Sequence, residues 1–176
     1  AEWIVQGAAP YDLWNADIRR FGRNHRNTEW VRTRTLEAYG KHYTMAWPFE
    51  EHDSGRPNRR SPLYDRLRAH GACFGEKLGW ERPNWFADLA GGEQPHDVYS
   101  YGRQNWFEPV RREHRAMRET AGLIDQTSFA KFVLKGPDAL TALNWICAND
   151  VDKPVGSLTY TQMLDVRGGI QCDLTV

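Results

Sequence analysis

Asp173 is the carboxylate whose surroundings single it out, because it follows Ile170 and precedes Leu174 and Val176 on a stretch that alternates like a β-strand. Alternation gives it one face with Gln171 and Thr175. That face reads either as solvent-facing or as projecting into a cavity, where Asp173 would serve as a general base or anchor a ligand N–H. Cys172 beside it has no histidine close in sequence, and a cysteine on the inward face of a strand reads as core. The six histidines, His25, His42, His52, His70, His96 and His114, show no ligand spacing, so no metal site is expected. No GxGxxG, P-loop or GxSxG motif occurs, so the chain itself offers neither a nucleotide cradle nor a serine nucleophile. Arg111, Arg112, Arg115 and Arg118 read as a solvated helix face paired with Glu108, Glu113 and Glu119. Seven of the eight tryptophans precede residue 107 and read as packing or interface area.

The elements that must position these groups follow from punctuation and periodicity. Asp12 can cap a short helix with Leu13, Trp14, Ile18 and Phe21 on one apolar face, and Asn27 or Thr28 can cap a second with Trp30, Val31 and Leu36 inward. Residues 50–60, polar with Gly, Pro and Arg, form the best linker candidate. Ser61-Pro62 opens a helix with Leu63 and Leu67 as its stripe and Gly71 as its stop. Residues 79–107, dense in Gly, Pro and Trp, read as one long irregular excursion. Glu108-Pro109 opens the next helix, with Val110, Met117 and Ala121 at helical spacing. Phe129 to Lys135 alternates like a half-buried strand. Asp138 can cap a helix with Leu140, Leu143, Ile146 and Cys147 facing in. Leu158 to Leu164 and Ile170 to Val176 then read as strands joined by Arg167-Gly168-Gly169. Strand, helix and hairpin in that order make an α+β class.

Composition bounds the function classes. The 176 residues carry 23 Lys+Arg against 23 Asp+Glu, and this neutral balance argues against a dedicated nucleic-acid binder. A 40% hydrophobic content allows a packed core of one domain or two small ones, and no apolar run is long enough to span a membrane. Three cysteines without CxxC spacing, Cys73, Cys147 and Cys172, fit reduced thiols in an intracellular protein. The first residue is Ala, and the last stretch reads as a strand with nothing after it, so the sequence is expected to be a segment of a longer protein.

From Ser61 to Val176 an ordered series of short motifs carries a family likeness: Gly79-Trp80-Glu81, Ala121-Gly122-Leu123-Ile124-Asp125, Asn149-Asp150, Tyr160-Thr161 and Gly168-Gly169. The stretch resembles the opening of the aminomethyltransferase (glycine-cleavage T-protein) folate-binding domain. Upstream, AEWIVQGAAPYDLWNADIRRF and EAYGKHYTMAWP resemble the short central domain that joins an FAD amine-oxidase domain to that folate domain in the dimethylglycine/sarcosine dehydrogenase family. The resemblance implies a connector domain over residues 1–57 and the first part of a folate-binding domain over residues 58–176.

The family resemblance implies a two-site reaction. A flavin oxidises the N-methyl carbon of a methylated glycine, and tetrahydrofolate captures the one-carbon unit at a second site, keeping a formaldehyde equivalent out of bulk water. FAD would be bound by a domain outside this chain, and the tetrahydrofolate site would be only partly present. The family's folate-site aspartate lies in Gly-Gly-x-x-x-Asp-Leu, here Gly168 to Leu174, which puts the role on Asp173. Tyr160, in the Tyr-Thr-x-Met-Leu strand, and Phe129 would line the pterin pocket. Where the T-protein has two aspartates this chain has Cys172-Asp173, as in the dehydrogenase branch. The implied partners are a methylated amine, tetrahydrofolate, the FAD domain and the rest of the folate domain. The implied compartment is the bacterial cytoplasm or the mitochondrial matrix of a eukaryote. Two other readings stay open: a non-catalytic regulator resembling the regulatory subunit of pyruvate dehydrogenase phosphatase, and a folate-dependent aminomethyltransferase. The segment by itself is expected neither to oxidise an amine nor to hold folate tightly.

Overall fold

The computed structural model describes residues 2–176, which divide into two compact units, residues 2–129 and 130–176. The first unit opens with helix α1, Glu2–Gln6, and three 3-10 turns, Trp14–Ala16, Ile18–Arg20 and Arg23–Arg26. The single helix expected after Asp12 is therefore absent. Asp12 Oδ1 accepts from the Trp14 N–H, but Asp17 interrupts the run with an extended backbone and folds its own carboxylate onto the Arg19 N–H. An aspartate that satisfies local donors competes with the helical ladder in this way.

Helix α2 spans Thr28–Lys41, capped by Asn27, whose Oδ1 accepts from the Glu29 and Trp30 N–H groups at 3.1 Å. Its docking face is not the expected apolar one, and Leu36 is exposed. The face is instead a polar stripe, Trp30, Arg34, Glu37 and Lys41, at helical spacing. The Trp30 indole donates to Gly55 O at 3.0 Å, Arg34 Nη2 to Ser54 O at 2.8 Å, and Lys41 Nζ to Glu51 O at 3.2 Å. Glu37 accepts from the Asp53 and Ser54 N–H groups at 2.9 and 2.8 Å. Burial pushes the Glu37 carboxyl up, but the bonds from Lys41, Ser54 and Asp53 outweigh it and hold the group below the usual carboxylate range. The expected linker, residues 50–60, is thus a stitched segment.

Helix α3, Tyr64–Ala69, starts later than Ser61-Pro62 suggests, and the Ser61 hydroxyl accepts from the Leu63 N–H in the preceding turn. Strands β1, Ala72–Lys77, and β2, Trp80–Phe86, then pair antiparallel, with Lys77 opposite Trp80 across a two-residue turn. Leu78 and Gly79 both have positive φ, 52° and 83°, the twist that a tight hairpin requires. Residues 79–107 are consequently not one irregular excursion, because their first part is a strand. Around this hairpin Cys73, Trp85 and Ala87 form a small core, with Trp106 and Val110 packed against it. Trp85 is 2% exposed and its indole donates to Asp97 at 2.7 Å, so a large ring is buried without an orphaned N–H. Helix α4, Phe107–Glu119, follows as expected around Glu108-Pro109.

Residues 129–135 form no strand, and Phe132 and Val133 are exposed. Helix α5, Ala139–Ile146, starts after Asp138, which supplies no side-chain cap; Leu140 and Ile146 are exposed while Cys147 is buried. Strands β3, Tyr160–Leu164, and β4, Ile170–Thr175, form an antiparallel hairpin as the sequence suggests. Among the described residues no helix is long and apolar enough to cross a membrane.

One buried ion pair ties the stitched segment to the first hairpin. Arg56 meets Glu81 through two bonds of 3.0 and 2.7 Å, with side-chain exposures of 16% and 3%, and also donates to Phe74 O at 2.7 Å. Glu81→Ala takes the carboxylate from this largely buried guanidinium and is expected to cost about 3 kcal/mol in urea unfolding. Arg111→Ala, which breaks the exposed pair with Glu108, is expected to cost less than about 0.5 kcal/mol. Equal losses for the two variants would remove the ion pair from this role.

Candidate functional site

The β3–β4 hairpin is fixed by its turn and its register. Asp165 Oδ1 accepts from the Arg167 and Gly169 N–H groups at 2.8 Å each, and these bonds hold its carboxyl below the usual range. Tyr160 lies opposite Thr175, Thr161 opposite Leu174, and Gln162 opposite Asp173. Because facing residues point to the same side of a sheet, Tyr160, Gln162, Asp173 and Thr175 share one face, and Thr161, Met163, Cys172 and Leu174 the other. The second face contains the fully buried Thr161, but Cys172 is exposed, so the core placement expected for it does not hold in this structure.

On the first face Tyr160 and Asp173 stand diagonally, and the Tyr160 hydroxyl donates to Asp173 Oδ2 at 2.9 Å. Two of the three residues singled out from sequence are therefore joined by a hydrogen bond on an exposed strand surface. A carboxylate held by a phenol and open to solvent can accept a ligand N–H or take up its proton. Phe129 belongs to the first unit, where the Arg82 guanidinium lies 4.9 Å from its ring centroid. Among the described residues no three His, Cys, Asp or Glu side chains are grouped to hold a metal ion.

Sequence reasoning missed the loop that braces this hairpin. Asn149 Nδ2 donates to Tyr160 O at 2.8 Å, the Asn149 N–H to Thr161 Oγ1 at 3.0 Å, and the Ala148 N–H to Gln162 O at 2.8 Å. An isolated antiparallel bridge between Cys147 and Met163 completes the attachment. The signal was the Asn149-Asp150 motif, whose side-chain amide can bond a neighbouring backbone.

A separate cleft of about 450 Å3 lies in the first unit between β2 and α4, with Leu67, Pro83, Phe86, Met117 and Ile124 among its walls. Glu113 opens onto it. Its expected pairing on the helix surface is not formed, because Arg111 pairs with Glu108 and Arg112 with Glu93, while Glu113 Oε1 accepts from the Phe86 N–H at 2.7 Å.

A profile of the FAD dependent oxidoreductase central domain matches residues 6–61, and one of the GCVT N-terminal domain matches residues 63–176. The chain belongs to the family in which these two domains follow one another. It is 42% identical over 176 residues to a 4-methylaminobutanoate oxidase (formaldehyde-forming) of Paenarthrobacter nicotinovorans, covering 100% of this chain and 21% of the relative. It is 39% identical over 199 residues to the mitochondrial sarcosine dehydrogenase of Mus musculus, covering 100% of this chain and 22% of the relative. It is 37% identical over 182 residues to the mitochondrial pyruvate dehydrogenase phosphatase regulatory subunit of Mus musculus, covering 100% of this chain and 20% of that protein. The chain thus spans about a fifth of the length of these curated relatives.

Burial pushes the Glu113 carboxyl above its ordinary value, outweighing the bond from Phe86. A carboxyl raised on folding costs nothing below its unfolded pKa and destabilises as pH rises through the folded one. Glu113→Gln keeps the acceptor and removes the charge. It is expected to raise the melting temperature at pH 7, with the gain vanishing near pH 4. A gain of the same size at pH 4 would mean that burial of charge is not its source.

Proposed function

We propose that the chain is part of a folate-linked flavoprotein that oxidatively demethylates an N-methyl glycine, dimethylglycine or sarcosine, and passes the one-carbon unit to tetrahydrofolate. The observation that carries this reading is the exposed Tyr160–Asp173 pair, with Asp173 in Gly-Gly-x-x-x-Asp-Leu at residues 168–174. Residues 1–57 would be the connector domain and 58–176 the opening of the folate-binding domain, a division that the two profile matches support. The compartment would be the cytoplasm in a bacterium or the mitochondrial matrix in a eukaryote.

The chain's residues do not fit a flavin, since they include no glycine-rich phosphate cradle. FAD in this reading is held by a domain outside the chain and, when bound, supplies the two-electron oxidation of the N-methyl group to an iminium. Asp173 acts on the next step. Asp173 would accept the proton a folate nitrogen sheds as its bond to the one-carbon unit forms, and would pass it to the amine nitrogen as the carbon–amine bond breaks. The methylene bridge would close on the second folate nitrogen, whose proton would leave with the amine as ammonium. Tyr160 would line the pterin pocket.

A regulatory reading is favoured by one observation, the 37% identity to the phosphatase regulatory subunit. The two readings part on amine turnover. In the full-length protein, Asp173→Asn is expected to leave amine-dependent flavin reduction within about twofold and to cut methylenetetrahydrofolate formation by about 100-fold or more, with formaldehyde released instead. Absence of flavin reduction by either amine in the unaltered protein would favour the regulator. The 176-residue chain alone is expected to show no micromolar tetrahydrofolate binding in equilibrium dialysis.

A further inference from the structure

An exposed carboxylate on a strand rotates among several orientations, and only some present a lone pair to an incoming N–H. The hairpin restricts Asp173 through a neighbour. Tyr160 Oη donates to Asp173 Oδ2 at 2.9 Å, whereas Oδ1 has no donor among the described residues. The two oxygens are thereby made unequal. Tyr160 is restrained in its turn from the adjoining loop, because Asn149 Nδ2 holds its carbonyl at 2.8 Å and the Asn149 N–H is seated on Thr161 Oγ1 at 3.0 Å. Thr161 is fully buried, so this anchor is withdrawn from solvent.

We propose that Tyr160 is a positioning residue for Asp173, with Asn149 bracing its strand, so that Oδ1 is the oxygen that meets the folate N–H. This inference rests on the folate reading of Asp173 and adds a role for the phenol hydroxyl beyond lining a pocket. It also gives a role to Asn149, for which sequence alone suggested none. A neutral donor on a carboxylate, removed without disturbing the ring, is expected to cost roughly tenfold in the step that depends on orientation, and a brace one residue further away about threefold.

The test uses the full-length protein with dimethylglycine or sarcosine and tetrahydrofolate, measuring how the one-carbon unit divides between methylenetetrahydrofolate and free formaldehyde. Tyr160→Phe is expected to lower the folate-captured rate about tenfold at saturating folate, leaving KM for folate and flavin reduction within twofold. Asn149→Ala is expected to lower it about threefold. A second readout needs no turnover. Hydrogen–deuterium exchange across residues 158–176 without folate should speed by one common factor in Tyr160→Phe, Asp173→Ala and the double variant, because each loses the same bond. A rise in KM for folate with the saturated rate unchanged would make Tyr160 a binding residue only and overturn the proposal, as would additive exchange effects. If Asp173→Ala also leaves folate capture intact, the folate reading itself falls. If Asp173→Ala abolishes capture while Tyr160→Phe and Asn149→Ala behave as the unaltered protein, only the positioning role falls.

Discussion

Residues 50–56 lie outside helix and strand, and yet several of their backbone groups are withdrawn from water. Such groups must find partners, and α2 supplies them from Trp30, Arg34, Glu37 and Lys41. The helix is read along its length by the segment in reverse order, from Gly55 at its start to Glu51 at its end. Arg56 then carries the tie onward to Glu81 on β2. Because the buried apolar cluster of this unit is, among the described residues, Cys73, Trp85 and Ala87 with two flanking residues, polar satisfaction does much of the positioning that a larger core would do. Losing one member of such a network leaves its partner buried and unmet, which is why the cost falls on the single residue removed.

That arrangement also explains which elements the sequence revealed. Helices α2 and α4 and the β3–β4 hairpin announce themselves through caps, Pro at a helix start, alternation and a Gly-Gly turn. The docking face of α2 does not, because an apolar-stripe search passes over a stripe built from Arg, Glu and Lys. The β1–β2 hairpin was hidden for related reasons. Its strands contain Gly75, Glu76, Pro83 and Asn84, poor strand formers by composition, and its turn is Leu78-Gly79 where Asn-Gly or Asp-Gly would have signalled it. Residues 129–135 show the converse. Their alternation is favourable for a strand, but alternation describes only faces, and a strand exists only where another segment accepts its ladder.

At the candidate site, alternation along β4 put Asp173 on the face opposite Leu174, and the structure agrees. What alternation could not deliver was the pairing register, and the contact depends on it: Tyr160 reaches Asp173 because Gln162, two residues on, is directly opposite it. A shift of one residue would put the phenol on the other side of the sheet. The bracing loop is marked in the sequence only by the Asn149-Asp150 motif, since a side-chain amide bonding a distant backbone carbonyl leaves no periodic trace.

In the role proposed for Asp173, the hairpin also resolves a conflict between access and order. A proton-transfer group must be reachable by its ligand, which favours an exposed strand, yet it must keep its orientation, which favours a buried one. Here the two demands fall on different strands. β4 carries Asp173, whose side is exposed, and has no second strand partner among the described residues. β3 lies between β4 and the 147–149 loop, with the fully buried Thr161 at the centre of that contact. The phenol of Tyr160 spans the two, so the exposed carboxylate borrows its orientation from the braced strand while keeping one oxygen free.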